Sequence, residues 1–200
     1  MTGLPEGPWQ VVVPFRQGEA GKSRLAPLLS APERTEIALR MARHVMSELS
    51  AVPNIASLAV LAPHRPDWWD GNWVRDTGLG LNPELGAWRA GLGQQLMLVI
   101  HADLPLLQAS EVSDLLSVAA LTGAALAPDR AGSGTNALAI ADGRPMTFRF
   151  GPDSRAAHST QHPEIGIVRH PGLMIDIDTP ADVAEFSAVL GLRERQAAGS

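Results

Sequence analysis

Short apolar runs alternate with stretches of helical periodicity along most of this sequence. The first run, residues 10–14, is rich in valine and ends in proline, and the strongest, residues 95–101, precedes a polar turn. Between them, Ser30 and Glu33 have capping-box spacing, and the apolar residues behind them recur at steps of three and four, as on one helix face. This alternation predicts an α/β domain whose largely parallel sheet is covered by helices on both faces.

The remaining elements are predicted from apolar runs and helix-capping signals. Strands are expected at residues 57–62, near Trp73, and at residues 124–128, 136–140 and 173–178. Helices are expected to begin at the caps Asn82, Ser110 and Thr179 and to end near Gly93, Leu121 and Leu190. A chain of 200 residues is long enough for one such domain, which we place at residues 1–192, with a tail at residues 193–200.

Composition excludes several classes of function. The formal net charge is −5, from 16 basic and 21 acidic side chains. This charge argues against nucleic-acid or membrane binding, so an anionic ligand must be held by local groups. The chain contains no cysteine, which excludes disulfides, a thiolate nucleophile and cysteine-ligated metals. Together with the lack of a targeting signal, this favours a soluble, cytoplasmic protein.

A basic loop follows the first predicted strand. In sheets of this class, ligands bind beyond the carboxyl ends of the strands. Residues 18–23 look superficially like a phosphate-binding P-loop, but Arg16 stands where that motif needs its first glycine. Lys22 and Arg24 could still hold a triphosphate electrostatically, and the alternative is a solvated basic loop.

Three aspartates follow other apolar segments. If residues 173–178 form a strand, Asp176 and Asp178 point to one face while Ile177 points to the core. With Asp103, which follows the strongest predicted strand, they would form an all-oxygen site suited to Mg²⁺. The alternatives are that Asp103 only forms a turn and that Asp178 helps to cap the helix at Thr179.

Small and hydroxyl-bearing residues form a third candidate site. Residues 132–136 and 151–154 would let the backbone approach a phosphate or carboxylate closely. His158 and His162 have the spacing of two zinc ligands on a helix, but no glutamate adjoins His158 and Pro163 ends the segment. These two segments are thus candidates for an anion site, with an ordinary loop as the alternative for each, and no zinc site is predicted.

A tryptophan-rich stretch spans residues 68–73. It lacks the interleaved basic residues of a nucleic-acid stacking platform, so we interpret it as lid or interface packing. If Trp68, Trp69 and Trp73 are exposed, they favour a homodimer interface.

Seven motifs occur in a fixed order between residues 11 and 190. They are Val13-Pro14, Gly21-Lys-Ser-Arg-Leu25, Gly80-Leu-Asn82, Ala102-Asp-Leu-Pro105, Asp129-Arg130 with Gly134-Thr-Asn-Ala-Leu138, Phe150-Gly151 with Ser154 and His158, and Asp176-Ile-Asp-Thr-Pro180. Together they resemble the 2-phospholactate guanylyltransferase family, which includes the phosphoenolpyruvate and 3-phosphoglycerate guanylyltransferases of deazaflavin coenzyme F-420 biosynthesis. Gly21 stands where the family often has alanine, and Arg16 where lysine is usual.

The resemblance implies a three-layer, Rossmann-like nucleotide-diphospho-sugar transferase fold. It implies that the phosphate of a small carboxylic acid attacks the α-phosphorus of GTP and releases pyrophosphate. The implied catalytic residues are Lys22, Arg24 and Asp103; the nucleotide-binding residues are Pro14, Arg16, Lys22, Ser23, Arg24, Gly80, Leu81 and Asn82; the acid-binding residues are Thr135, Gly151, Ser154 and His158; and the Mg²⁺ ligands are Asp103, Asp176 and Asp178.

Two other functions remain open at this point. The same fold could transfer a cytidylyl group, or a guanylyl group to molybdopterin. The protein could also be a nucleotide-binding module without turnover, although such a module would not need all three aspartates.

Overall fold

A seven-stranded sheet forms the middle of the protein in a computed structural model, which describes residues 7–16 and 22–191. The strands are β1 (Trp9–Pro14), β2 (Ile55–Ala62), β3 (Asn72–Arg75), β4 (Met97–Ile100), β5 (Ala124–Pro128), β6 (Thr135–Ile140) and β7 (Gly166–Ile167). Their order is β3-β2-β1-β4-β6-β5-β7, and β6 runs antiparallel to both of its neighbours. The largely parallel sheet is therefore confirmed. The predicted tail, residues 193–200, and Gly18 and Gly21 lie outside the described residues.

Helices cover both faces of this sheet. They are α1 (Ala31–Ser50), α2 (Leu81–Leu92), α3 (Ala109–Thr122), α4 (Ser154–Ser159), α5 (Pro171–Met174) and α6 (Pro180–Glu185). Val11 and Val13 of β1 pack in one apolar cluster with α1 and α3, whereas Val12 packs in another with Leu85 of α2. Because the strands offer apolar side chains to both faces, the sheet needs a helical layer on each side. Within the described ranges, no helix is long and apolar enough to cross a membrane.

The capping predictions for the first and last helices are confirmed. The Ser30 N–H donates to Glu33 Oε2 at 2.9 Å and closes the capping box of α1. Thr179 caps α6, and its hydroxyl oxygen accepts from the backbone N–H of Asp182. However, α6 ends at Glu185 rather than near Leu190.

The predicted caps of the two middle helices are wrong. Gly80, with a φ of 98°, precedes α2 in place of Asn82, whose side chain is bonded to another loop. Gln108 precedes α3 in place of Ser110, because Gln108 and Glu111 have the spacing at which side chain and backbone cap each other.

The predicted strand at residues 173–178 is also wrong. The segment forms α5 followed by irregular backbone, although Leu173 and Ile177 are buried as expected of a strand. The buried Asn136 side chain donates to the carbonyls of Leu173 and Met174, both at 3.1 Å. These bonds satisfy the backbone without a neighbouring strand. The short elements α4 and β7 were not predicted.

The tryptophan-rich stretch packs onto the core. The Trp68 ring meets Phe15 edge-on, with ring centroids 5.2 Å apart. Trp73 Nε1 donates to the carbonyl of Ala62 at 2.9 Å. Because Trp68, Trp69 and Trp73 are all half-buried, they do not form the exposed patch that favoured a homodimer.

His158 of α4 joins β6 to the segment before α4. Its ring is fully buried, and the backbone N–H of Arg149 donates to Nε2 at 3.0 Å. Because an N–H can only donate, the proton of the neutral ring lies on Nδ1, which is 3.2 Å from Thr135 Oγ1. Burial lowers the pKa of His158 from 6.5 to about 4.

We expect this histidine to make the stability of the protein fall as the solution is acidified. The unfolded chain takes up the proton near pH 6.5 but the folded protein only near pH 4, so the free energy of unfolding decreases between these values. The loss attributable to His158 should reach at most about 3 kcal/mol. Denaturant unfolding of His158→Gln should lack this part of the pH dependence, while the exposed control His64→Gln should retain it. Identical pH profiles for both variants would contradict the assignment.

Candidate active site

A cavity of about 500 Å³ opens beyond the carboxyl ends of β1 and β4. From β1 the chain continues to β2 and β3 on one side, whereas β4 lies on the other side. Such a change of direction is where open α/β sheets bind ligands, and the volume suits a small-molecule site. Nine of the predicted site residues line this cavity: Pro14, Arg16, Lys22, Ser23, Arg24, Gly80, Leu81, Asp103 and Asp178.

The structure brings the three predicted metal-binding aspartates together. One carboxylate oxygen each from Asp103, Asp176 and Asp178 lies within 4.8 Å of the others. Asp103 follows β4, whereas Asp176 and Asp178 lie between α5 and α6. The Ile177 N–H donates to the carbonyl of Asp103 at 3.3 Å, so a backbone contact holds the two segments side by side. The predicted proximity is therefore present, although the strand from which it was inferred is not.

Lys22 lies between two of these carboxylates. Its Nζ is 2.5 Å from Asp103 Oδ2 and 2.8 Å from Asp178 Oδ1, and its side chain is only 11% exposed. Its backbone has a φ of 54°, in the left-handed region that residues other than glycine rarely adopt. Arg24 is farther out, with Nη1 3.4 Å from Asp178 Oδ2 and 76% of its side chain exposed. The basic loop therefore presents one buried and one exposed cation to the site.

The charges of this cluster shift the pKa of each buried member. Burial of Lys22 acts to lower its pKa, but Asp103 and Asp178 raise it by more, so the ammonium stays charged. Burial of Asp103 acts to raise its pKa, but the Lys22 ammonium holds it below the usual value. Asp176 has no ion pair among the described residues, and burial and then the neighbouring Asp103 and Asp178 raise its pKa to about 6, against a smaller lowering effect of Lys22.

The aspartate cluster fits a hard divalent cation. Oδ1 of Asp103 is buried and has no hydrogen-bond partner among the described residues. A cation between the three carboxylates would satisfy this oxygen and offset the repulsion that raises the pKa of Asp176. Carboxylate oxygens are the ligands that Mg²⁺ prefers, usually together with substrate phosphates.

Asn82 is not among the residues that line the cavity, although Gly80 and Leu81 are. Its side-chain amide donates to the Phe150 carbonyl at 3.0 Å and accepts from the Phe150 N–H at 2.8 Å. Asn82 therefore fixes the start of α2 against the segment that leads to Gly151.

The four predicted acid-binding residues lie at the same edge of the sheet. Thr135 begins β6 beside the carboxyl end of β5, and both Thr135 and Ser154 are buried. Gly151 is exposed, with a φ of 130° and open space where a Cβ would stand. Both ring nitrogens of His158 are engaged within the fold, which suits a positioning role rather than contact with a ligand. Phe150 connects this group to the cavity, because its ring lies 5.4 Å from that of His101.

Sequence reasoning missed Asp76, which lines the cavity after β3 and is only 8% exposed. Its Oδ1 accepts from the Gly78 N–H at 2.8 Å, as aspartates do in turns. The Asp-Thr-Gly sequence at residues 76–78 is the signal that could have identified it.

Solved structures of other proteins share this fold. A protein provisionally named a nucleotide-diphospho-sugar transferase, from Desulfovibrio desulfuricans G20, matches with a TM-score of 0.67 and 13% identity, covering 91% of this chain and 96% of its own. A nucleotidyl transferase from Methanothermobacter thermautotroptrophicus matches with a TM-score of 0.65 and 12% identity, covering 93% and 98%. The predicted nucleotide-diphospho-sugar transferase fold is therefore confirmed.

Other proteins are more similar to this chain in sequence than these solved structures are. The phosphoenolpyruvate guanylyltransferase of Sphaerobacter thermophilus is 34% identical, over 88% of this chain and 91% of its own length. The enzyme of the same name from Nocardia farcinica is 32% identical, over 86% and 82%. The family described as "Guanylyl transferase CofC like" matches residues 9–189. The protein is thus a nucleotidyltransferase, and the chain belongs to the CofC-like guanylyl transferase family.

Proposed function

We propose that the protein transfers GMP from GTP to the phosphate of phosphoenolpyruvate, with release of pyrophosphate and with Mg²⁺ as cofactor. The observation that carries the proposal is the convergence of Asp103, Asp176 and Asp178 with Lys22 beside the cavity. Relatives 30–34% identical that are named phosphoenolpyruvate guanylyltransferases support the donor and the acceptor. The resemblance of the motifs supports a role in deazaflavin coenzyme F-420 biosynthesis.

The basic loop binds the triphosphate of the donor. Lys22 supplies a buried positive charge in the lining of the cavity, where Ser23 and the exposed Arg24 follow it. The three aspartates hold Mg²⁺, which when bound offsets the negative charge of the phosphates. Phosphoryl transfer of this kind needs in-line positioning and charge neutralisation, so the lack of a nucleophilic cysteine is no obstacle.

The nucleoside and the acid occupy opposite sides of the cluster. Pro14, Arg16, Gly80 and Leu81 line the cavity on the side where the nucleoside binds. The acid binds next to Thr135, Gly151 and Ser154, where hydroxyl groups and an open glycine allow close approach of its phosphate and carboxylate. Asn82 and His158 act as positioning residues, because their polar side-chain atoms are bonded within the fold.

Purified protein with GTP and Mg²⁺ should release pyrophosphate only when a suitable phosphorylated acid is added. We expect phosphoenolpyruvate to support the fastest release, and mass spectrometry should identify the guanosine diphosphate-linked product. Faster release with 2-phospholactate or 3-phosphoglycerate would reassign the acceptor, and faster release with CTP would reassign the donor. Tight binding of GTP without product from any of these acids would instead indicate a nucleotide-binding module.

The substitutions Asp103→Asn and Asp176→Asn should each lower kcat by about 100-fold or more, because each removes a charge that holds the metal. Isothermal titration with Mn²⁺ should show correspondingly weaker metal binding. The matched control is Asp70→Asn on the exposed surface, which should leave both measurements unchanged. Wild-type rates and metal affinity in both cluster variants would refute the metal assignment.

Removing the Lys22 ammonium should make the stability of the free protein depend on metal. Without Mg²⁺, Lys22→Met leaves two carboxylates without their ion pair, so the free energy of unfolding should fall by about 1–3 kcal/mol. Saturating Mg²⁺ should restore most of this loss in denaturant titrations. The control Arg24→Met removes a long, exposed contact and should change stability by less than about 0.5 kcal/mol. An equal response of both variants to Mg²⁺ would show that Lys22 does not neutralise the cluster.

A further inference from the structure

One end of the cavity holds a buried carboxylate to which the proposed reaction assigns no role. Asp76 lines the cavity together with Pro14, Gly80 and Leu81, the residues we assign to the nucleoside. Its side chain is only 7% exposed. A carboxylate is costly to bury unless both of its oxygens have partners. The hydrogen bonds of Asp76 therefore indicate what it can still bind.

Oδ1 of Asp76 is held in place by a hydrogen-bonded turn at residues 76–78. The Gly78 N–H donates to Oδ1 at 2.8 Å. The same turn is held by Glu84, whose buried Oε1 accepts from the N–H groups of Thr77 at 2.7 Å and Leu79 at 3.2 Å. Because Glu84 lies in the first turn of α2, the turn is attached to a rigid helix. Asp76 is thus held in one orientation before any ligand binds.

Among the described residues, the second oxygen of Asp76 has a single cationic donor, and the Glu84 carboxyl also lies within hydrogen-bond reach of the Asp76 side chain. Arg16 Nη2 lies 3.5 Å from Oδ2, at the limit of a hydrogen bond, and 59% of the Arg16 side chain is exposed. At this distance, and with the guanidinium largely in solvent, the ion pair contributes little. Oδ2 can therefore accept hydrogen bonds from a bound molecule, with Arg16 free to turn toward solvent.

The chemistry of Asp76 matches one nucleobase. Guanine presents two adjacent donors, N1–H and the 2-amino group, whereas adenine and cytosine each present a donor beside a ring nitrogen that accepts. An ionised carboxylate only accepts, so it pairs with guanine and repels the ring nitrogen of the other two bases. We infer that Asp76 selects guanine in the part of the cavity lined by Pro14, Gly80 and Leu81, an inference that rests on the proposed function.

Nucleotide analogues test this pairing. Inosine triphosphate lacks the 2-amino group, so wild-type protein should use it with a kcat/KM about 10- to 100-fold below that of GTP, as expected for a lost hydrogen bond to a charged group. In Asp76→Asn, kcat/KM for GTP should fall by a similar factor. The ratio of kcat/KM for GTP to that for inosine triphosphate should then approach one. The control Asp70→Asn should keep the wild-type preference.

Xanthosine triphosphate supplies a gain of function that structural damage cannot produce. Xanthine carries an oxygen in place of the 2-amino group, so the amide of Asp76→Asn can donate to it where the carboxylate repels it. We expect kcat/KM for xanthosine triphosphate to rise at least about 10-fold in this variant while that for GTP falls.

The outcomes separate this inference from the proposed function. Pyrophosphate release by wild-type protein, with no change in the GTP preference of Asp76→Asn, would overturn the role of Asp76 alone. Equal use of GTP and inosine triphosphate by wild-type protein would overturn it even if the variant fails to fold. If wild-type protein releases no pyrophosphate, the proposed function fails, and calorimetric binding of the same triphosphates to wild type and variant still decides whether Asp76 reads the base.

Discussion

Three carboxylates can share a space of a few ångströms only when positive charge lies among them or when one of them takes up a proton. In this protein the Lys22 ammonium meets that requirement for Asp103 and Asp178, while Asp176 is left with a pKa raised to about 6. The negative charge of the cluster is thus neutralised unevenly. The uncompensated part lies near Asp176, where a divalent cation would bind. Charge balance at this point links the basic loop after β1, the turn after β4 and the segment before α6, which are distant in sequence.

The fold places these segments together by a simple rule. Parallel strands bring their carboxyl ends to one edge of the sheet, and the change of direction between β1 and β4 leaves a cavity there. The antiparallel strand β6 adds its beginning to the same edge, which is why Thr135 lies near the other site residues. The position of the proposed site for two substrates and a metal therefore follows from strand order and one reversed strand.

Much of the fold follows from the sequence, because apolar periodicity and capping signals act locally. Ser30 and Glu33 predicted the start of α1 correctly. The prediction of a strand around Asp176 was wrong because the distant side chain of Asn136 satisfies backbone carbonyls of this segment, which no local pattern reveals. The convergence of Asp103, Asp176 and Asp178 was nevertheless predicted, since their residue type and their place after apolar runs are visible in the sequence. The tertiary partners of Asn82 and His158, and the burial of Asp76, became apparent only in three dimensions.

The paired hydrogen bonds between Asn82 and Phe150 have a mechanical consequence. They join the first turn of α2 to the segment that leads into α4, in the manner of two rungs between neighbouring strands. A displacement of either segment therefore carries the other with it or breaks both bonds. In the proposed reaction, the two hydrogen bonds would therefore keep the nucleoside-binding segment and the acid-binding segment at a fixed separation.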